Sequence, residues 1–350
     1  MSKVVRTTWK RAWIGLCLLL ASSGAFATDL CPTLAGRQAD PHVATRIAAI
    51  ACDEHLRWNR PFIDADGRLA SLNAYEAEAS GLKDGGAPWR RVAFYWQASG
   101  LLGPMGFKPG ASDCNYAALN LSYPGLGCRG FVIDNPWSAA FISWVMQRAG
   151  VPGFRTSASH FDYVRAARRE SADSPYVLVD PMTATLAIGD MLCYVRTGRV
   201  YGPEGLSKAI DGNASSLPMH CDLVVAVADG KAYAVGGNVQ QAVTMRVFNL
   251  NAQGQLWGVP RRTDGDVECS PETQAACSFN RQDWAAVLKL KPQDELARLG
   301  PVEPPSFLPS APVASTCCIN CVLGSGVPRC PAPGQAPLVP PETAPLQGSE

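Results

Sequence analysis

Charge is scarce in this 350-residue sequence. Asp, Glu, Lys and Arg together make 17% of it, and 31 basic residues nearly balance 30 acidic ones. With 47% apolar residues the chain is a folding one, far from the charge-rich composition of disordered proteins. The near-neutral balance excludes a nucleic-acid binder that works through a basic face. Histidine is scarcer still, with four residues and none at H-x-x-x-H spacing, which argues against a histidine zinc site. The sequence holds no phosphate loop, no dinucleotide fingerprint and no catalytic metal motif, so no cofactor or metal is expected. It also lacks an internal repeat.

The N-terminus has a distinct character. Lys3, Arg6, Lys10 and Arg11 precede an uncharged apolar run over residues 12–24, and Ala25-Phe26-Ala27 offers a small-x-small cleavage site. This pattern predicts a signal peptide over residues 1–27 and a periplasmic or secreted protein with no stable membrane span after cleavage, because the run is too short for a bilayer. An uncleaved N-terminal anchor is the alternative. The mature chain would carry 27 basic and 30 acidic residues, which gives no strong pull toward anionic polymers.

Of the 13 cysteines, Cys17 lies in the signal segment and 12 remain, an even number that suits an oxidising compartment. Cys31/Cys52, Cys114/Cys128 and Cys269/Cys277 are close enough in sequence to close short loops. Cys193 and Cys221 fall on strands expected to be neighbours, and a cross-strand pair is favoured there over a catalytic thiol. Cys317, Cys318, Cys321 and Cys330 crowd a tail, residues 301–350, that holds 12 of the 28 prolines. Disulfides are preferred over zinc for that cluster. The globular part is then one domain over residues 28–300.

Within that domain the apolar spacing predicts helices over residues 40–58, 88–101, 136–149 and 159–169, with Asn135 as N-cap and Pro136 at N1 of the third. Residues 64–86 and 103–130 read as loops, the second pinned by Cys114 and Cys128. Strands are expected at 191–195, 220–228, 231–235 and 242–250, with Asp229-Gly230 as a hairpin signal and Gly236-Gly237-Asn238 as a turn. Helices first and an antiparallel meander second predict an α+β fold with segregated layers.

Two features bear on chemistry. Ser138 falls in the first turn of the helix that starts near Asn135, where free backbone N–H groups and the positive dipole end favour an anion. His220 opens a strand, and Asp222, two residues on, shares its face while Cys221 points away. Asn238 follows the next strand. Ser138 also suits plain helix-start service, and His220 alone suits a hydrogen-bonded strand position. His160 and Tyr163, at i and i+3 on the next helix, either line a substrate groove or pack together. Trp137 neighbours the site, although aromatic residues at helical spacing are most simply core.

The segments Asn-Pro-Trp-Ser-Ala-Ala-Phe-Ile (135–142), Ile-Gly-Asp-Met-Leu (188–192), His-Cys-Asp-Leu-Val-Val (220–225) and Gly-Gly-Asn-Val (236–239) resemble, in order, the P-W-C-A-A-F-V, G-D, H-V-G-I-V and E-G-N-V motifs of the CHAP superfamily. These are papain-like, cysteine/histidine-dependent amidohydrolases and peptidases of bacterial cell walls. The likeness spans about residues 87–250 and looks closest to an uncharacterised branch, a domain of unknown function, with Ser in the P-W-S-A-A-F motif. It implies a papain-like fold, N-terminal helices on an antiparallel sheet. It also implies a site of Ser138 as nucleophile, His220 as base and Asn238 or Asp222 as orienting group. His160, Tyr163 and Trp137 would stand toward the substrate, a peptidoglycan peptide or a protein. Where the superfamily has Cys this chain has Ser138, which depends fully on a positioned base. Two further readings stand beside the hydrolase: an inactive module holding wall peptide or a protein partner, and a domain that merely carries a working tail.

Overall fold

The computed structural model describes residues 30–300. The expected signal segment 1–27 and the Pro/Cys-rich tail 301–350, with Cys317, Cys318, Cys321 and Cys330, lie outside the described residues. In chain order the elements are α1 (Leu30–Ala35), α2 (Val43–Arg57), β1 (Phe62–Ile63), β2 (Leu69–Ala70), α3 (Pro88–Ala98), α4 (Ala111–Leu119), α5 (Leu126–Asp134), α6 (Ser138–Arg148), α7 (His160–Arg169), β3 (Tyr176–Val179), β4 (Met191–Val195), α8 (Gly202–Asp211), β5 (Met219–Ala228), β6 (Lys231–Val239), β7 (Ala242–Asn249), β8 (Asp283–Leu290) and α9 (Gln293–Leu296).

The fold is α+β. Helices α1–α7 come before β3, and the strands form one eight-stranded sheet in the order β2-β1-β7-β6-β5-β4-β8-β3. β4 through β7 form the expected antiparallel meander. The sheet is mixed rather than purely antiparallel, because β1 runs parallel to β7. The core helix α6 is apolar all round, with every residue from Ser138 to Met146 buried, which suits a helix enclosed by α2, α3 and the sheet.

Several boundaries differ from expectation for identifiable reasons. Asp40 does not start a helix; its Oδ1 accepts the His42 N–H at 2.9 Å in an Asx turn, and α2 begins at Val43. The expected loop over residues 103–130 contains α4 and α5, each preceded by a glycine with φ near +81° or +66° and joined by Cys114–Cys128. α6 begins at Ser138 rather than Pro136, with Trp137 at the N-cap position. Gly236-Gly237-Asn238 is not a turn but lies within β6, at a register shift against β7. The hairpin turn is instead made by Gln240 and Gln241, both with positive φ.

Among the described residues four disulfides close, Cys31–Cys52, Cys114–Cys128, Cys193–Cys221 and Cys269–Cys277, and they fit an exported protein. Cys193–Cys221 staples β4 to β5 beside the candidate site. No described helix is long and apolar enough to cross a membrane.

One carbonyl joins the helical and sheet layers. Pro61 O accepts from His55 Nε2 at 2.9 Å, at the end of α2, and from the Met245 N–H at 3.0 Å, on β7. His55 is buried, and burial outweighs the carbonyl contact and lowers its pKa to about 4. The unfolded chain takes up this proton near 6.5. The contribution of His55 to stability is therefore full above pH 6.5 and lost as pH falls toward 4, by about 3 kcal/mol in all. Denaturant titrations between pH 7.5 and 4 should show this loss, and His55→Gln should flatten it.

Candidate active site

Four polar residues from three elements meet inside the protein. Ser138 opens α6, His160 opens α7, and His220 and Asp222 share one face of β5. Their exposures are 4%, 3%, 1% and 0%. Unpaired polar groups are costly at that depth, so their partners define the site.

Asp222 is the anchor. Its Oδ1 faces His220 Nε2 at 2.8 Å, and its Oδ2 accepts from Arg246 Nε at 3.1 Å. Arg246, on β7, also donates to Phe279 O at 2.5 Å and to Asn280 Oδ1 at 3.3 Å. The carboxylate thus sits between an imidazole and a guanidinium, a pairing that full burial demands. With Nε2 toward Asp222, the His220 ring presents Nδ1 on its other side. That atom is buried and has no hydrogen-bond partner among the described residues. The Tyr194 ring, 5.1 Å away across the β4–β5 pairing, supports the imidazole.

Ser138 Oγ lies 2.7 Å from His160 Nε2, and His160 Nδ1 lies 2.8 Å from the Tyr163 hydroxyl. The His160 and His220 rings are 5.2 Å apart, so the imidazole bonded to Ser138 packs against the one bonded to Asp222. Burial first, then His220 and Arg196, holds the His160 pKa well below 6.5, while burial first, then Asp162 and Tyr176, raises that of Tyr163 well above 10. His160 is therefore neutral and Tyr163 keeps its proton at neutral pH. Phe141 is the first residue of α6 whose N–H bonds back, to Trp137 O at 2.9 Å. The N–H groups before it form the free end of the helix, beside Ser138.

The expected site residues thus fall into place unequally. Ser138, His220, Asp222, His160 and Tyr163 converge, with His160 rather than His220 in direct contact with Ser138. Asp222, not Asn238, holds the His220 imidazole. With its amide oriented to suit both neighbours, Asn238 donates to Glu76 Oε2 at 3.1 Å and accepts the Trp137 N–H at 3.2 Å. It braces the start of the serine helix. Trp137 does not face a substrate. It is fully buried, stacked 5.6 Å from both Trp58 and Tyr95, and its indole N–H donates to Glu76 Oε2 at 2.7 Å. Tyr163 borders a cavity of about 260 Å³ with Phe154, Arg165 and Tyr176.

Sequence reading missed Glu76 and Arg246. A guanidinium among the apolar residues of β7 is itself a sign of a buried anion nearby. Glu76 carries no such sign, lying in a Gly- and Asp-rich stretch. Burial raises its pKa, opposed by the Trp137 indole N–H. Among the described residues no group of three or more His, Cys, Asp or Glu side chains is placed to hold a metal ion.

Two glycines make the convergence possible. A Cβ on Gly236 would lie 1.8 Å from Asp222 Oδ1 and 3.0 Å from His220 Nε2, and one on Gly237 would lie 2.5 Å from Phe141 Cβ on α6. Gly236→Ala and Gly237→Ala should each cost about 1–3 kcal/mol in denaturant unfolding, as overpacked interiors do. They should differ in one readout. Only Gly236→Ala should shift the imidazole ¹⁵N signals of His220, because only there does the added methyl meet the Asp222–His220 pair.

Comparison with known proteins places this geometry in a family. Residues 83–290, more than half of the chain, match the family described as an uncharacterized protein conserved in bacteria (DUF2272). No curated protein and no solved structure matches the chain. The matched segment contains Ser138, His160, His220, Asp222 and Arg246, so the whole constellation lies inside the shared domain, and the chain belongs to the DUF2272 family.

Proposed function

We propose that the protein is an exported hydrolase of amide bonds, papain-like in layout, acting in the periplasm or outside the cell on peptidoglycan peptides. Ser138 Oγ attacks the carbonyl carbon while its proton passes to His220 Nδ1. The carbonyl electron pair moves to oxygen, where the N–H groups at the start of α6 receive it. His220 then returns the proton to the leaving amine, and water releases the acyl group by the same steps in reverse roles. Asp222 holds the ring and offsets the charge of the imidazolium, with Arg246 keeping the carboxylate in place.

The observation that carries this reading is the state of His220. Its Nε2 is tied to Asp222, its Nδ1 is buried and without a hydrogen-bond partner among the described residues, and its ring centroid lies 5.2 Å from that of His160, the partner of Ser138. A general base needs such an atom within reach of its proton. The substrate class rests on the likeness to cell-wall CHAP enzymes, which is an analogy of motif and layout.

A second reading is a non-catalytic module that binds wall peptide or a protein partner. The depth of the site favours it, since Ser138 is 4% exposed and a substrate carbonyl must gain access. The two separate on one experiment. The exported chain is treated with a fluorophosphonate and, separately, with peptidoglycan, alongside Ser138→Ala and His220→Ala. The hydrolase reading expects a label on Ser138, soluble wall fragments, and a drop on the order of 10⁴-fold or more in either variant. Unlabelled Ser138 and equal peptidoglycan binding by all three proteins would establish the module instead.

A further inference from the structure

Resting on the hydrolase reading, we infer that His160 is not a base for Ser138 but a donor to it: neutral His160, oriented by Tyr163, gives its Nε2–H to the serine oxygen and leaves the hydroxyl proton for His220. The argument follows from where the protons in the buried cluster can go.

Tyr163 is buried, and its hydroxyl has His160 Nδ1 as its partner at 2.8 Å. No second partner for that hydroxyl is found among the described residues. If His160 Nδ1 carried the proton, it would donate to the Tyr163 oxygen, and the phenolic proton would be left buried without an acceptor. Ser138 would then have to donate to His160 Nε2, so its proton would be held by His160 and not left for His220. The buried phenolic donor would be unsatisfied, at about 1–3 kcal/mol.

The opposite arrangement gives the phenol, the stronger acid of the two hydroxyls, its acceptor. Tyr163 O–H donates to Nδ1, so the neutral ring carries its proton on Nε2. That N–H donates to Ser138 Oγ at 2.7 Å. The serine proton is then not committed to His160, and His220 Nδ1, buried and without a hydrogen-bond partner at rest, is the base that the hydrolase reading has receive it. His220 must itself be protonated at Nε2 to donate to Asp222, so its Nδ1 lone pair is open. The suppressed basicity of buried His160 agrees with this state, since a doubly protonated ring could not accept from Tyr163.

The arrangement has a chemical consequence for a serine in a cysteine's place. A hydroxyl is a far weaker acid than a thiol. A hydrogen bond donated to its oxygen favours the anionic form and so eases proton loss to His220. His160 touches the reacting atom and is a catalytic residue in this scheme. Tyr163 acts through His160 and is a positioning residue.

The test reads the protons directly. The exported chain is labelled with [¹⁵N]histidine, and long-range ¹H–¹⁵N correlations are recorded at neutral pH. His42→Gln and His55→Gln variants assign two of the four rings, and His160→Gln assigns a third. The inference expects both His160 and His220 protonated at Nε2. A proton on Nδ1 of His160 overturns it, whether or not the protein hydrolyses anything. Tyr163→Phe should move His160 toward the Nδ1–H form, and an unchanged tautomer would assign the choice to some other group and overturn the role of Tyr163.

Fluorophosphonate labelling adds a kinetic split. Gln at position 160 can still donate an N–H, whereas Phe cannot. His160→Gln should keep labelling within about tenfold of the parent, and His160→Phe should lose on the order of 10²-fold, the scale of one lost donor. Loss in His160→Gln as complete as in His220→Ala would make His160 the base. Absence of labelling in the parent chain would end the hydrolase reading alone, leaving the tautomer result to stand by itself.

Discussion

A fully buried carboxylate governs this molecule. Asp222 has no access to water, and in a medium of low polarity its charge must be met on every side by donors. Two oxygens and two donors meet there: His220 on the same strand and Arg246 two strands away. From that requirement follow the tautomer of His220, the direction of its free nitrogen, and the presence of a guanidinium in the apolar interior of β7. The same requirement sets the backbone beside it. Gly236 leaves the volume that the carboxylate fills, and Gly237 lets β6 lie against Phe141 of the serine helix.

The start of α6 shows a second polar construction built for position rather than reaction. Trp137 is locked between two aromatic rings, and its indole and backbone N–H groups are held by Glu76 and Asn238. The residue before the serine therefore has little freedom, and Ser138 emerges at a defined place on the helix end. The His160 imidazole reaches that place from α7, and the His220 imidazole of β5 packs 5.2 Å from it, ring to ring. One is held at Nδ1 by a phenol and the other at Nε2 by a carboxylate, so each leaves the opposite nitrogen for other partners. The cross-strand Cys193–Cys221 bond fastens β5 directly beneath the pair.

Much of this was legible in the chain. A Pro-Trp-Ser start to an apolar helix located the serine, and the two-residue period of a strand joined His220 to Asp222 and set Cys221 apart to bond with Cys193. The short cysteine spacings matched three further disulfides. The α+β order followed from helical spacing giving way to alternation after residue 185. What misled was local chemistry with two outlets. Gly-Gly-Asn is turn-like wherever it is read alone, yet here it is strand, because the missing side chains are needed by neighbours above and below. Trp137 adjoins the serine in sequence, but a side chain next along a helix start points elsewhere, and this one points into an aromatic stack.

By itself the sequence determined helices α2, α3, α6 and α7, the β4–β7 meander, the same-strand pair and the four described cross-links, since each depends on residues close together or on a repeating pattern. Only the tertiary structure decided which imidazole touches Ser138, that Arg246 neutralises Asp222, and that Asn238 serves a helix start rather than an imidazole. Those choices are made between segments 20 to more than 100 residues apart. They turn on ångström-scale packing that no spacing along the chain encodes, because hydrogen bonds form only where the folded backbone brings donor and acceptor within about 3 Å.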